Sequence, residues 1–266
     1  MTSSAIYGAV ALAALLPAAA LRLRSEDQRD AAFWCGLALA VAGPSIWAAA
    51  QLGGSWKTGF AMSLWLTIAV TAALFAILAL ASRQSWKLTV LLMPYLALLG
   101  LVALIWQHAP ERPIGSEIPP GWLDAHIILA LVTYGLLTLA AVAGVAVFLQ
   151  ERALKAKRPT GLTHRLPAVA ESERLQVGLL AASGFVLIFG LASGMAAEYF
   201  LRGRLLVFDH KTLLSFAAFI AIALMLAVHR FTGLRGRRWA RGVLVAYLLL
   251  TLAYPGVKFV TDVLMG

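Results

Sequence analysis

Two of the five histidines stand at the starts of apolar segments, and each has an aspartate close by in the chain. His126 ends the stretch WLDAH at 122–126, and His210 lies in the stretch DHK at 209–211. Imidazole is the commonest side-chain ligand for metal ions, and it also holds haem iron. If both segments begin at the same face of the protein, His126 and His210 could ligate one iron from opposite sides. The alternative is two interfacial histidines that bond to water, lipid headgroups or helix ends.

Two roles are open for the neighbouring acids, Asp124 and Asp209. A carboxylate can accept the second N–H of a metal-bound imidazole and so fix the orientation of the ring. An aspartate at the start of a helix can instead cap the free backbone N–H groups of the first turn. Both acids fall where a cap is expected, so the sequence supports either role.

His229 belongs to a different part of the molecule. It follows His210 by 19 residues in one apolar run, which in a helix corresponds to about 28 Å. This distance is close to the thickness of a bilayer core, so His210 and His229 cannot share a ligand. His229 would serve a possible inner site, or it would stabilise the C-terminal end of its own helix beside Arg230.

The composition indicates the kind of fold that positions these histidines and aspartates. Of the 266 residues, 61% are hydrophobic and only 13% are charged, against about 25% charged in soluble domains. We therefore predict an all-α, polytopic membrane helix bundle with about eight transmembrane helices, forming one membrane domain over residues 1–266. A four-helix N-terminal half covers 1–107 and a second half covers 122–262. The eight apolar runs are 5–21, 31–51, 59–82, 88–107, 124–149, 175–197, 211–229 and 239–261.

The basic residues predict the orientation of the bundle. The 22 lysines and arginines outnumber the 12 acidic residues and give a net charge of +10, and most of the basic residues lie in the first, third, fifth and seventh loops between the runs. By the positive-inside rule these loops are cytoplasmic, which places both termini outside, in the periplasm of a bacterial inner membrane. Because the basic clusters follow membrane topology, we expect no nucleic-acid partner. No lysine or arginine precedes the first run, which favours a retained helix over a cleaved signal peptide.

Two other functions remain open from the residues alone. A small-molecule transporter would have broken helices near the midplane, for which Pro44 in the second run is the one candidate. A membrane regulatory or scaffold protein would use the basic cytoplasmic loop predicted at 150–174 to hold a partner or anionic lipid. Gly190 and Gly194 form a G-x-x-x-G pair, which indicates close helix packing in the sixth run.

The second half resembles the cytochrome c assembly protein family of the CcsA and HemX type, and in particular its short, eight-helix inner-membrane members. Three stretches carry the resemblance: WLDAHI from 122 with Tyr134 and LQERAL at 149–154, GLASG at 190–194 leading to DHK at 209–211, and HRFTGLRGRR at 229–238 with LAYPGVK at 252–258. Together they cover a little over half of the chain.

The resemblance implies an outward-facing haem site with histidine ligands. His126 falls where the family places an external histidine, His210 falls in a segment that larger members write Asp-Pro-Lys, and His229 falls near an inner histidine of the family. The implied cofactor is haem, and the implied partners are the lipid bilayer and other cytochrome c assembly components. The Trp-rich motif of haem-attaching members is absent. We therefore expect a haem-handling protein that is not an enzyme by itself.

Overall fold

The computed structural model describes residues 3–24, 29–52, 57–108, 112–113, 119–205, 207, 209–233 and 236–264. Within these ranges the chain is almost entirely helical, and seven helices are long and apolar enough to cross a membrane. The protein is therefore an all-α, multi-pass membrane bundle, as predicted. The long helices are α1 (Ser3–Arg24), α2 (Ala31–Leu52), α3 (Phe60–Ala81), α4 (Thr89–Ile105), α5 (Pro120–Ala156), α7 (Val169–Arg202), α8 (His210–Thr232) and α9 (Arg237–Thr251), with a short α6 (Gly161–His164) between α5 and α7.

The short apolar part of α1 explains why seven helices, and not eight, are long and apolar enough to cross a membrane. The apolar part of α1 is Ile6–Ala20, which in a helix rises only about 22 Å. A hydrocarbon core is about 30 Å thick. Arginines at 22 and 24 end the apolar run of α1 abruptly. The crossing of α1 and the external position of both termini stay predictions.

Helices α5 and α7 are much longer than their apolar runs predict. At 37 and 34 residues they measure about 55 Å and 51 Å, so both extend beyond a bilayer core. The loop predicted at 150–174 is wrong for this reason: α5 continues to Ala156, α6 forms one turn, and α7 begins at Val169. The stretch LQERALKA contains strong helix formers, which carry α5 past the apolar run.

The connections between the fourth and fifth runs and between the sixth and seventh runs are also shorter than predicted, because the helices extend beyond their apolar runs. Helix α5 begins at Pro120 and α7 ends at Arg202, so 120–123 and 198–202 are helical. Two short strands, β1 (Lys57–Thr58) and β2 (Arg112–Pro113), pair antiparallel near this end. The rest of the proline-rich segment, 109–111 and 114–118, lies outside the described residues.

Two groups of helices make up the bundle. Helices α1 to α4 pack on one another, α5 and α7 to α9 form the second group, and the principal contact between the groups is that of α3 with α5. Helix α5 is the most buried of the spanning helices and α8 the least. Pro44 lies buried inside continuous α2, which is not broken there. After α9 the chain continues through π-helical turns at Leu252–Gly256 and Val260–Leu264.

Helices α1 and α2 approach closely at Gly43. A Cβ atom at this position would lie only 2.5 Å from Ala14 Cβ, and a methyl group on a short side chain cannot move aside. We expect Gly43→Ala to destabilise the protein by about 1–3 kcal/mol, the usual range for overpacking. Thermal unfolding of the detergent-solubilised protein measures the change.

The matched control for this prediction is Gly178→Ala. Gly178 is exposed on α7, and a Cβ atom there meets nothing within 4 Å. Alanine is the better helix former, so this variant should unfold at the same or a slightly higher temperature. Equal destabilisation by both substitutions would contradict the close approach of α1 and α2.

Candidate functional site

One cavity of about 390 Å³ opens where α5, α7 and α8 meet near the N-terminal ends of α5 and α8. Side chains of α3 and of the segment after α9 complete its walls. The lining surface is mostly apolar, and its polar side chains are His126, Glu198, Asp209, Lys211, Lys258 and the hydroxyl groups of Ser63, Thr133, Tyr134, Thr212, Ser215 and Tyr254. An apolar cavity with a few convergent polar groups is typical of a small-molecule site.

The imidazole of His126 is held by Ser193 of α7. His126 Nδ1 lies 2.8 Å from Ser193 Oγ, and Ser193 Oγ donates to the carbonyl oxygen of Gly190 at 2.9 Å. A hydroxyl group has one hydrogen, and here it is used on the carbonyl. With that hydrogen on the carbonyl, the geometry matches the tautomer in which His126 Nδ1–H donates to Ser193 Oγ and Nε2 carries the lone pair. This is the arrangement in which a second residue orients a metal-binding histidine.

Two glycines of α7 provide the space for this contact. A Cβ atom at Gly194 would lie 3.1 Å from His126 Cε1, so only glycine allows the ring to lie against the helix without displacement. A Cβ atom at Gly190 meets nothing within 4 Å, although Gly190 is buried and lines the cavity. The G-x-x-x-G pair, which we predicted only as a packing signal, therefore also shapes one wall of the site.

Trp122 makes a second contact to the same residue of α7. Its Nε1 donates to the carbonyl oxygen of Ser193 at 3.0 Å, and its ring meets Phe200 edge to face. Trp122 and His126 are four residues apart and so lie on one face of α5. The two side chains together fix the register between α5 and α7 at the cavity.

The charged groups come from three elements. Lys211 lines the cavity from the first turn of α8 and lies within electrostatic range of the His126 imidazole. Lys258 also lines the cavity; it donates to the carbonyl oxygen of Gly59 at 3.5 Å, and its ammonium group lies 5.7 Å from the ring centre of Tyr254. Glu198 and Asp209 add two carboxylates. The cavity thus combines two cations, two anions and a long apolar wall.

Of the two predicted acids, only Asp209 caps a helix. Asp209 caps α8, because its Oδ1 accepts from the backbone N–H of Thr212 at 2.7 Å, and it also lines the cavity. Asp124 cannot cap α5, since the helix already begins at Pro120. The prediction that His126 opens α5 is corrected in the same way, because His126 lies in the second turn. The residue that contacts the imidazole is Ser193, which we did not predict.

The other two histidines lie apart from the cavity lining. His210 opens α8, as predicted, and is exposed; its neighbours Asp209 and Lys211 line the cavity, and His210 does not. His229 lies in the last turn of α8 with its ring 4.8 Å from that of Trp239. The structure therefore brings His126 together with Asp209 and Lys211, and the His126–His210 iron pair stays a prediction, as does an inner site at His229.

A group of hydroxyl side chains below the cavity was missed by the sequence analysis. Tyr134 lines the cavity, and its phenol oxygen lies 3.1 Å from Tyr247 Oη and 3.1 Å from Thr251 Oγ1. Tyr95 Oη shares a hydrogen bond with Tyr247 Oη. These residues come from α4, α5 and α9, and buried polar groups in a membrane bundle must bond to one another. Tyrosine is uncharged and occurs widely in apolar runs, so these residues are not recognisable as a group from the sequence.

Comparison with known proteins gives two matches. The family model described as Cytochrome C assembly protein matches residues 56–265, so the similarity begins in the first half of the chain, earlier than the 122–262 that we predicted. A protein from Azospirillum brasilense, named "Uncharacterized 28.8 kDa protein in nifR3-like 5'region", is 52% identical over 271 residues and covers both chains completely. No solved structure matches the chain. Among the described residues no three His, Cys, Asp or Glu side chains group around a possible metal position.

Proposed function

The chain belongs to the cytochrome c assembly protein family, and from this premise we propose that it binds or passes haem in the cavity at the outer ends of α5, α7 and α8. Family membership supports a role in cytochrome c assembly, and haem is the group that such assembly must handle. The observation that carries the proposal is the imidazole of His126, which lines the cavity and is held by Ser193 Oγ at 2.8 Å from its Nδ1.

The residues of the cavity fit the chemistry of haem. Haem supplies an iron that takes axial ligands, a flat apolar ring and two carboxylates on one edge. His126 would ligate the iron through Nε2. The glycine wall at 190 and 194 would lie against the flat ring, with Leu187 and Leu191 beside it. Lys211 and Lys258 would pair with the carboxylates.

A residue next to the cavity lining would occupy the second axial position of the haem iron. His210 remains our predicted second ligand, since it adjoins two residues that line the cavity. The absence of the Trp-rich motif from the sequence supports a protein that holds or transfers haem, without attaching it to an apocytochrome by itself. We further propose that it works with other assembly components in a bacterial inner membrane, with both termini outside.

A variant that fills the cavity tests where haem binds. Gly190 is buried and lines the cavity, and a Cβ atom there meets nothing within 4 Å, so a larger side chain would extend from an open position into the space of a ligand. We expect wild-type protein from cells that make haem to show a Soret band, and Gly190→Leu to lose at least about tenfold in haem affinity.

Gly178→Leu is the matched control, because Gly178 is exposed on the same helix and lies outside the cavity. It should bind haem as the wild type does. Equal haem contents in all three proteins would remove the cavity as the site. A wild-type protein that takes up no haem, either in cells or on titration, would overturn the proposed function.

A further inference from the structure

Helix α9 carries two arginines and an apolar stripe on one exposed face. Residues 238, 241, 245, 248 and 252 are spaced by three and four, so they follow the same side of the helix. Arg238 and Arg241 are exposed, and Val245, Leu248 and Leu252 are 54%, 56% and 45% exposed. We propose that this surface, which we call the α9 face, binds an anionic phospholipid. The two arginines would hold its phosphate, and an acyl chain would lie along the apolar residues. The inference is independent of the proposed haem site.

The opposite side of α9 is packed into the bundle and fixes the rotation of the helix. Its buried residues are Trp239, Ala240, Val243, Ala246 and Leu250. A third arginine, Arg237, also points into the protein, because its guanidinium carbon lies 4.7 Å from the ring centre of Phe148 in α5. The α9 face is therefore held outward, with Arg238 and Arg241 together at one end of the apolar stripe.

The charges of Arg238 and Arg241 are not neutralised within the described part of the chain. Neither side chain forms an ion pair, a hydrogen bond or a ring contact there, and α9 itself contains no aspartate or glutamate. Cations stabilise a helix at its C-terminal end and not at its N-terminal end, so these two arginines do not help to hold α9. The phosphate of a lipid would supply the missing negative charge.

Two glutamates at the same end of the bundle have contacts of their own. Glu173 Oε1 accepts from the backbone N–H of Gly236 at 2.8 Å, and Glu151 Oε2 lies 3.8 Å from Lys155 Nζ. These acids hold the residue before α9 and a neighbouring lysine. The α9 face thus keeps its positive charge for a partner from outside the chain.

The depth of the two arginines and the type of cation favour a phospholipid. The apolar part of α9 begins directly after Arg241, which places Arg238 and Arg241 at the edge of a hydrocarbon core. By the positive-inside prediction this end of the bundle is cytoplasmic, and the cytoplasmic leaflet carries anionic lipids. A guanidinium group is a planar fork that binds two phosphate oxygens at once, which an ammonium group does not do. The arginines and the stripe below them therefore match the two parts of a phospholipid.

Lipid titration of the purified, full-length protein tests this proposal. The probes are short-chain phosphatidylglycerol, phosphatidylcholine with the same chains, and inorganic phosphate, with the shift in unfolding temperature as the readout. We expect phosphatidylglycerol to stabilise the wild type, and Arg238→Gln/Arg241→Gln to bind it about 30-fold more weakly. Arg238→Lys/Arg241→Lys keeps both charges without the guanidinium forks, and it should bind this lipid less tightly than the wild type does.

The charge-matched control is Arg152→Gln/Arg158→Gln, which removes two exposed cations from the same end of the bundle but from outside the α9 face. It should keep the response to phosphatidylglycerol. Because all four arginines are exposed, both glutamine variants should unfold at the wild-type temperature when no lipid is added. Equal responses of these two variants to phosphatidylglycerol, or an equal effect of phosphatidylcholine on the wild type, would overturn the site. A full response to inorganic phosphate at the same concentration would overturn the lipid assignment, and wild-type affinity in the lysine variant would overturn the guanidinium contact.

Discussion

His126→Ala is expected to lose haem almost completely, with an affinity at least about 100-fold below that of the wild type. Changing a residue that only orients a ligand already costs about 10- to 100-fold, and this substitution removes the ligand itself. The alanine side chain offers no atom that can bind iron. A haem titration followed at the Soret band measures the affinity.

His210→Ala and His164→Ala complete the comparison. His164 is exposed at the other end of the bundle and should have no effect. If His126 and His210 form an axial pair, His210→Ala will be nearly as damaging as His126→Ala. His210 is exposed and lies outside the cavity lining, and a loss much smaller than that of His126→Ala would remove it as the second ligand. Retention of full haem affinity by His126→Ala would refute the ligand assignment for either arrangement.

The fold was largely predictable because long apolar runs indicate that the segments lie in the hydrocarbon core of a membrane. A bilayer forces spanning segments to be helical, so class and architecture follow from hydropathy. Helix ends did not follow in this way. The polar residues from Gln150 to Lys155 look like a loop on a hydropathy scale, but they continue α5 because they are good helix formers. The same error placed His126 at a helix start.

The site was predicted only in part, because a sequence pattern reveals contacts between residues that are close in the chain and not contacts between distant residues. His126 was found because a histidine at the end of an apolar run is unusual. The cap formed by Asp209 was foreseen as one of two roles, since it depends only on the next three residues. Ser193 lies 67 residues away from His126 in the chain, and its role depends on the register of α5 against α7. A serine among small residues in a packed helix gives no sign of such a contact.

The cavity and the opposite end of the bundle both depend on the length of α5 and α7. The paired helices exceed the hydrocarbon core by about 20 Å, which lets one pair of elements carry polar surfaces at both ends. At one end His126 of α5 meets Ser193 of α7, and at the other Gln150 of α5 holds the segment that leads into α7. A shorter pair, ending with the apolar runs, would place Lys157 and His164 on a free loop.

The contact between Ser193 and His126 leads to the second large effect. Ser193→Ala removes the side-chain oxygen that lies 2.8 Å from His126 Nδ1, and the imidazole loses this contact with α7. We expect haem affinity to fall by about 10- to 100-fold, as is usual when the partner of a metal-bound histidine is removed. The fold should be retained, because the substitution deletes one oxygen and alanine favours the helix.

Ser215→Ala is the control that separates the loss of imidazole orientation from the loss of one hydroxyl group in the cavity. Ser215 lines the same cavity, and its hydroxyl group donates to the carbonyl oxygen of Lys211 and not to His126. This variant should bind haem as the wild type does, with the same Soret maximum. Ser193→Thr retains the hydroxyl group and should recover most of the lost affinity. Equal losses in Ser193→Ala and Ser215→Ala would mean that the cavity needs hydroxyl groups in general, and that Ser193 does not orient the imidazole.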